Sequence, residues 1–169
     1  VTGSAGFIGS NFINGWFTSS DEEVLSLDAL TYAGNLNNLH SQDNNKNHHF
    51  VNLDISDRKK IKALFNKYKP RAIIHFAAES HVDRSISGSD AFIKTNIIGT
   101  FNLLEVCREY QSNHDIKFIH ISTDEVFGSL SDSDEPFNES TSYKPNSPYS
   151  ASKAASDHLV RAWYHTYNL

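Results

Sequence analysis

Short apolar runs alternate along the chain with longer stretches whose apolar residues recur at helical spacing, and this pattern predicts strands and helices in turn. The strand-like runs cover residues 23–27, 49–53, 72–76 and 117–122. The helical stretches cover residues 9–16, 56–68 (with Ser56 as the expected cap) and 89–110, and a further one begins at Pro148. The polar segments 31–47 and 129–142 predict surface loops, the first with one helical turn.

The order of these elements predicts the fold class. Strands that alternate with helices argue for a parallel sheet covered on both faces, because each crossover helix packs back onto the sheet. Right-handed crossovers leave a doubly wound arrangement as the economical topology. We therefore predict one α/β domain over residues 1–169, a Rossmann-type doubly wound parallel sheet with helices on both faces. Because the chain begins at a glycine-rich turn and stops just after a helix, we expect it to be truncated at both ends.

Composition and charge narrow the classes of function. The chain has 38% hydrophobic and 21% charged residues, which is typical of a globular domain. No apolar run reaches the roughly 18 residues of a membrane span, so we expect no membrane partner. The net charge of -5 and the dispersed Lys and Arg residues argue against nucleic acid. Cys107, inside an apolar helical pattern, indicates a packed, reduced thiol and a cytoplasmic location, and the nine histidines lack ligand spacing, so we expect no metal.

Three glycines surround the predicted start of the first helix. Gly3, Gly6 and Gly9 have the spacing G-x-x-G-x-x-G. This spacing lets the backbone approach a pyrophosphate and directs a helix N-terminus at its charge. Alone it is a weak signal, because glycine triplets also occur in plain tight turns.

Acidic and small residues at the following strand ends strengthen the interpretation of the glycines as a dinucleotide site. Asp28 ends the next strand, where a carboxylate can accept hydrogen bonds from ribose hydroxyls and would repel a 2'-phosphate, which favours NAD over NADP. Asp54 suits a contact with the adenine amino group, although it could equally cap a helix. The run Phe76-Ala77-Ala78 ends a later strand with small residues that permit close passage of a dinucleotide. Alternatively, Asp28 is an ordinary aspartate in a turn, and Ala77 and Ala78 are ordinary core residues.

Two polar segments carry candidate chemistry. Tyr149 and Lys153 are four residues apart, so both project from one face of a helix. An ammonium about 5 Å from the phenol, at an effective dielectric of about 20, would contribute about 3 kcal/mol, or roughly two pKa units. We therefore expect Lys153 to lower the pKa of Tyr149, which could then act as a base. Alternatively, Tyr149 and Lys153 are an ordinary pair on the surface of the helix, without a role in catalysis.

Thr123, Asp124 and Glu125 follow the strand-like run 117–122. If the bound NAD oxidises a hydroxyl of the substrate, Thr123 can donate a hydrogen bond to that hydroxyl. Adjacent residues at a strand end point to different sides, as the acid and the base of an elimination must. Like-charge proximity and partial burial would hold one carboxyl of the Asp124–Glu125 pair protonated and the other ionised. The alternative is two solvated loop acids.

At these motifs the chain resembles the extended short-chain dehydrogenase/reductases that act on nucleotide sugars, and within them the family of bacterial dTDP-glucose 4,6-dehydratases. The resemblance covers nearly the whole chain. It rests on the runs VTGSAGFIG (1–9), DALTYAGN (28–35), AAESHVDRS (77–85), STDEVFG (122–128) and YSASK (149–153).

The resemblance implies specific roles. The residues that would contact NAD are Phe7, Ile8, Asp28, Ala29, Leu30, Thr31, Asp54, Ile55, Phe76, Ala77, Ala78, Glu79, Ser80 and Thr95. Ser80 and Thr123 would lie near the nucleotide-sugar substrate, dTDP-glucose. Tyr149, assisted by Lys153, would be the oxidation base, Asp124 the acid for the leaving 6-hydroxyl, and Glu125 the base at C5. The resemblance also implies a homodimer, and a nucleotide-sugar-binding domain that lies largely beyond Leu169.

Three positions depart from the family's frequent residues, namely Ser4, Ala29 and Phe127. None of them is a proposed acid or base. Other functions stay open: a 4-epimerase, which needs no acid/base pair at C5 and C6, a UDP-glucose or GDP-mannose dehydratase, and a non-catalytic NAD-binding module for the chain in isolation.

Overall fold

The computed structural model describes residues 1–169 and contains four strands and six α-helices. The strands are β1 (Val24–Asp28), β2 (His48–Asn52), β3 (Ala72–His75) and β4 (Lys117–His120). The α-helices are α1 (Phe7–Trp16), α2 (Arg58–Tyr68), α3 (Val82–Ser87), α4 (Asp90–Phe92), α5 (Thr100–Tyr110) and α6 (Pro148–Tyr167). Leu36–Gln42 and Asp124–Phe127 form 3₁₀ helices, and Ile93–Gly99 forms a π-helix between α4 and α5.

All strand pairs are parallel. β1 pairs with β2 and β3 pairs with β4. Thr2 joins the two pairs, because it forms parallel bridges to Leu27 of β1 and to His75 of β3. Its amide donates to the Ile74 carbonyl at 3.0 Å, and the Leu27 amide donates to the Val1 carbonyl at 2.8 Å. The sheet order is therefore β2, β1, residues 1–2, β3, β4, which is the order of a doubly wound sheet.

Helices cover both faces of this sheet. Phe50 and Val51 are neighbours on β2 and must point to opposite faces. Phe50 packs against the core cluster that contains Ile13 of α1, whereas Val51 packs against the larger cluster that contains residues of α2 and α5. The prediction of a Rossmann-type α/β fold with helices on both faces is confirmed.

Local details differ from the sequence-based expectations. The cap of α2 is Asp57, whose carboxylate accepts from the Lys60 amide at 3.1 Å, and not Ser56, whose amide instead donates to Asp54. Helix α3 was not expected at all. The loop 31–47 holds a 3₁₀ helix of seven residues, Leu36–Gln42, where a single helical turn was expected. α6 begins as predicted at Pro148, behind a capping box formed by Ser147 and Ser150.

The predicted helix 89–110 is interrupted by the π-helix. Two tertiary contacts lie in this segment. The Asn96 side chain is buried and bonds to the backbone of Glu79, and Gly99 packs so closely on Ile55 that a Cβ there would lie 2.6 Å from its Cδ1. Apolar spacing alone does not report either contact, so the interruption was not predicted.

None of the helices combines the length and the apolar character that crossing a bilayer requires. The structure also groups no three His, Cys, Asp or Glu side chains in an arrangement that could hold a metal ion.

Candidate active site

The carboxyl edge of the sheet opens into a cleft of about 400 Å³. The predicted site residues that line it are Gly3, Gly6, Phe7, Ile8, Gly9, Asp28, Ala29, Thr31, Asp54, Ile55, Phe76, Ala77, Ala78, Glu79, Ser80, Thr95, Tyr149 and Lys153. Its other lining residues, which the sequence did not single out, are Leu27, Ala33, Gly34, Leu53, Ile121 and Ser122. A second cavity of about 320 Å³, beside Val1 and Leu25, is mostly apolar and contains no predicted site residue. Most of the predicted site residues, including Tyr149 and Lys153, therefore line the first cleft.

The glycine turn forms the floor of this cleft. Gly3 has φ +66°, and a Cβ there would lie 2.6 Å from the Ala77 nitrogen. A Cβ on Gly9 would lie 2.2 Å from the Gly3 carbonyl oxygen, whereas one on Gly6 would meet nothing closer than 3.4 Å. No side chain caps the N-terminus of α1, so its first amides are free of a capping acceptor. The turn thus combines close packing with the open helix N-terminus that an anionic pyrophosphate prefers.

Asp28 is buried at the end of β1, with 9% of its surface exposed. Its Oδ2 accepts from the Ala5 amide at 2.9 Å and its Oδ1 from the Leu30 amide at 2.8 Å. These two bonds fix the carboxylate between the glycine turn and the following loop, and leave lone pairs for further donors. Leu30, predicted as a cofactor residue, does not line the cleft. Its backbone, at φ 52°, orients Asp28 instead.

Asp54 does not cap helix α2, which was one of the two alternatives for this residue, because that cap is Asp57. Its Oδ1 accepts from the Ser56 amide at 2.8 Å, and its Oδ2 lies 3.1 Å from the Lys94 ammonium. Burial by itself would raise the pKa of Asp54, but these bonds outweigh burial and hold the pKa below its usual value. Asp54 thus caps a turn and also lines the cleft as a carboxylate.

Tyr149 and Lys153 lie together at the other end of the cleft, with 8% and 4% of their surfaces exposed. The Lys153 Nζ donates to the Ile121 carbonyl at 2.7 Å. Burial lowers the pKa of Lys153 to about 8, against the opposing effect of Asp157. These two residues are therefore a buried pair and not a surface pair.

The expected lowering of the Tyr149 pKa is not what the structure shows. Burial raises that pKa, a hydrogen bond with Thr123 opposes the rise, and the charges of Glu125 and Asp124 add to it. The expectation counted the positive charges of Lys153 and of the nicotinamide, whereas the phenol is also desolvated and faces several carboxylates. A base at this position needs a further positive charge beside it.

Thr123 lies between the two segments that carry the candidate residues. It is close enough to Tyr149 to oppose the rise of that residue's pKa, and its Oγ1 accepts from the Glu125 amide at 3.3 Å and lies 3.4 Å from the Asp124 Oδ1. Asp124 is exposed and Glu125 half-buried. Both belong to a 3₁₀ turn, since β4 ends at His120, so the argument from strand alternation does not apply to them. None of the three lines the cleft itself, and they adjoin it through Ser122 and Tyr149.

Asn96 is a site residue that the sequence analysis missed. Its Oδ1 accepts from the Glu79 amide at 2.8 Å, and its Nδ2 donates to the Glu79 carbonyl at 2.9 Å and to the Ser152 Oγ at 2.8 Å. It therefore joins the cleft wall to the helix that carries Tyr149. A polar amide among apolar residues at helical spacing was the available signal.

Comparison with known proteins agrees with this geometry. The family model described as GDP-mannose 4,6 dehydratase matches residues 1–169. The dTDP-glucose 4,6-dehydratase of Xanthomonas campestris pv. campestris (strain B100) is 54% identical over 100% of this chain and 49% of its own length. That of Salmonella typhimurium is 49% identical over 100% of this chain and 51% of its own length. The chain thus spans about half the length of the curated relatives it matches.

The solved structures that are similar to this chain are also nucleotide-sugar enzymes, and the chain again covers about half of each. The dTDP-glucose 4,6-dehydratase from Streptomyces venezuelae, with NAD bound, is 43% identical with a TM-score of 0.92, over 99% of this chain and 52% of that one. The UDP-glucose 4-epimerase of Thermus thermophilus, in complex with NAD, is 31% identical with a TM-score of 0.86, over 99% of this chain and 51% of that one. The chain therefore belongs to the family whose model is described as GDP-mannose 4,6 dehydratase, and it is similar to the dTDP-glucose 4,6-dehydratases.

Proposed function

We propose that the whole protein converts dTDP-glucose to dTDP-4-keto-6-deoxyglucose with NAD as cofactor, for dTDP-rhamnose or other deoxysugar biosynthesis. The observation that carries the proposal is the placement of Thr123, Asp124 and Glu125 beside the buried Tyr149–Lys153 pair, next to a cleft lined by the glycine turn and Asp28. An epimerase needs the tyrosine and the lysine but no acid/base pair. The 54% identity to dTDP-glucose 4,6-dehydratases, against 31% to a UDP-glucose 4-epimerase, supports the same choice.

The cleft fits NAD. The open N-terminus of α1 would hold the pyrophosphate, Asp28 the adenosine ribose, and Asp54 the adenine amino group. NAD, when bound, supplies a positively charged ring that accepts hydride from C4 and later returns it at C6. Two solved relatives carry NAD, which supports this assignment.

Tyr149 takes the proton from the C4 hydroxyl, and Thr123 donates a hydrogen bond to the same oxygen. Lys153, one helical turn from Tyr149, contributes a positive charge that stabilises the phenolate. Ser80 lines the same cleft as Tyr149 and Lys153, and we assign it a contact with the substrate. These groups serve the oxidation.

Asp124 and Glu125 serve the elimination. Glu125 removes the proton at C5, and Asp124 protonates the departing 6-hydroxyl, so that water is lost across C5 and C6. The two carboxyls have different exposure, since Asp124 is exposed and Glu125 half-buried. This asymmetry supports separate roles for them.

Turnover of three nucleotide sugars tests the proposal directly. The whole protein is incubated with NAD and with dTDP-glucose, UDP-glucose or GDP-mannose, and the 4-keto product is followed. We expect turnover with dTDP-glucose. Formation of a 4-epimer without loss of water would replace the proposal by the epimerase, and turnover with only another nucleotide would correct the substrate.

Replacement of Asp28 tests the preference for NAD. We expect Asp28→Ala to weaken NAD binding by about 1 to 3 kcal/mol, because a charged hydrogen-bond acceptor is lost, and to weaken NADP binding less, because repulsion of the 2'-phosphate is relieved. Calorimetric titration of both dinucleotides measures this change. Equal affinity of the unmodified protein for the two cofactors would show that Asp28 does not discriminate between them.

We also propose a homodimer in which α6 and the adjoining π-helix pack against a second copy. Ile93 and Ile98 are each 46% exposed, and Tyr164 of α6 is 58% exposed. Apolar side chains on neighbouring helices are typical of such interfaces. We expect Tyr164→Glu to shift light scattering at micromolar concentration from dimer to monomer. Leu130→Glu, at a 48% exposed apolar residue in a loop, should leave the dimer intact, and a monomeric unmodified protein would overturn the proposal.

We place the protein in the cytoplasm. Cys107 is a buried free thiol, and burial raises its pKa. An unreactive, packed thiol of this kind supports a reducing compartment.

A further inference from the structure

Asp157 is the centre of a polar cluster beside the candidate active site, in which its own carboxylate is largely buried while Ser122 and Tyr143 are exposed. Its side chain is 12% exposed. Its Oδ2 accepts from the Ser122 hydroxyl at 2.6 Å and from the Tyr143 hydroxyl at 2.9 Å, and its Oδ1 lies 3.1 Å from the His120 Nε2. The carboxylate therefore joins three parts of the chain: helix α6, the end of β4, and the loop that precedes α6.

The position of Asp157 along α6 relates it to the catalytic residues. Tyr149, Lys153 and Asp157 follow one another at intervals of four residues, so they lie along one face of the helix. Ser122, which Asp157 holds, directly precedes Thr123. Ile121, whose carbonyl accepts from Lys153, directly precedes Ser122. Two neighbouring residues of the chain are thus fastened to two successive turns of α6.

The Asp157 carboxylate, with 12% of its side chain exposed, has lost most of its contact with water. Removing a charge from water costs several kcal/mol unless hydrogen bonds replace the lost hydration. Burial would raise the pKa of Asp157, but His120, Ser122 and Tyr143 outweigh burial and hold the pKa below its usual value. Asp157 is therefore ionised at neutral pH, and its hydroxyl donors hold it in one orientation.

We propose that Asp157 is a positioning residue, which holds the segment that carries Thr123, Asp124 and Glu125 in register with the helix that carries Tyr149 and Lys153. This inference rests on the proposed function, since it assigns the two segments to one reaction. Asp157 acts through its hydrogen bond with Ser122 and through its negative charge, which lies one helical turn from Lys153.

The charge of Asp157 has a consequence of its own. The titratable groups around Lys153 are Tyr149 and Asp157 on α6, His120 on β4, His75 on β3, and the Asp124–Glu125 pair. Burial lowers the pKa of both histidines, so they are neutral at neutral pH. Asp157 opposes the burial that lowers the pKa of Lys153 to about 8. Loss of the Asp157 charge should lower the pKa of Lys153 further and move the alkaline fall of activity to lower pH.

Three variants of the whole protein separate these effects. Asp157→Asn keeps the shape and removes the charge, Ser122→Ala removes the hydroxyl that Asp157 holds and keeps the charge, and Asp132→Asn removes a carboxylate from an exposed loop as a control. We expect kcat to fall by on the order of 10²-fold in Asp157→Asn with little change in KM, because the reacting groups are misplaced. The alkaline fall in the pH–activity profile of Asp157→Asn, its alkaline limb, should also move to lower pH. Ser122→Ala should lower kcat without moving that limb, and Asp132→Asn should change neither.

Hydrogen exchange of the backbone amides at 121–125 gives a readout that does not depend on turnover. We expect faster exchange in Asp157→Asn and Ser122→Ala than in the unmodified protein. Unchanged exchange there, or a lower melting temperature with kcat and the pH profile unchanged, would overturn the positioning role. Absence of turnover by the unmodified protein with every nucleotide sugar would instead overturn the proposed function, and the exchange measurement would still decide whether Asp157 holds the segment.

Discussion

In Glu125→Gln, the oxidation at C4 should proceed while the elimination slows by roughly 10²- to 10⁴-fold, the range typical of the loss of a general base. Glutamine has nearly the shape of glutamate but lacks a basic carboxylate. Tyr149, Lys153 and Thr123, to which we assign the oxidation, keep their contacts. The oxidised sugar should therefore accumulate on the enzyme.

Single-turnover absorbance of reduced nicotinamide, together with deuterium uptake at C5 from heavy water, measures the two halves separately. In Glu125→Gln the absorbance should rise and persist while deuterium incorporation falls. Tyr149→Phe is the matched control, because it removes one hydroxyl from the oxidation and should suppress both signals. If Glu125→Gln exchanges C5 deuterium at the normal rate, Glu125 is not the base at C5.

The acid of the elimination can be tested in the same assay. Asp124→Asn should slow the loss of the 6-hydroxyl. A substrate with fluoride at C6, a better leaving group that needs less protonation, should partly restore that variant.

A methyl group on Gly9 should disrupt both folding and cofactor binding. The Cβ of Gly9→Ala would lie 2.2 Å from the Gly3 carbonyl oxygen and 3.1 Å from the Ser4 Cα, which are backbone atoms that cannot rotate away. The turn must open, so we expect a loss of about 3 kcal/mol in the free energy of unfolding, at the upper end of overpacking costs. NAD affinity should fall on the order of 10²-fold, because the amides at the start of α1 move with the turn.

Gly15→Ala is the matched control in the same helix. A Cβ on Gly15 meets nothing within 4 Å. This variant should leave NAD binding unchanged and stabilise the protein by up to about 1 kcal/mol, the usual helix preference for alanine over glycine. Denaturant unfolding and calorimetry on both variants decide the matter. Equal stability and equal NAD affinity of the two variants would show that the close packing at Gly9 is not required.

Patterns along the chain were sufficient to predict the fold class and most of the residues that line the cleft. The alternation of strand and helix patterns is a local property, and a parallel sheet with right-handed crossovers leaves few ways to assemble such units. All strands of a parallel sheet point the same way, so residues that follow them meet at one edge. This is why Asp28, Asp54 and Ala77 could be assigned to one cleft from their places at strand ends. The glycine spacing was a weak signal alone and gained weight from these strand ends, and the structure gives Gly3 a positive φ that side chains rarely adopt.

The pKa values in the site and the contacts that hold its residues in place depend on the packing of the folded domain. The pKa of Tyr149 depends on its burial and on how many carboxylates face it, and spacing along α6 reported only Lys153. Asn96 meets Ser152 across 56 positions of the chain, and Ser122 meets Asp157 across 35. Local spacing predicts which residues share a face of a helix or an end of a strand. It cannot predict which side chains from distant segments meet there, because those contacts are fixed by the packing of the whole domain.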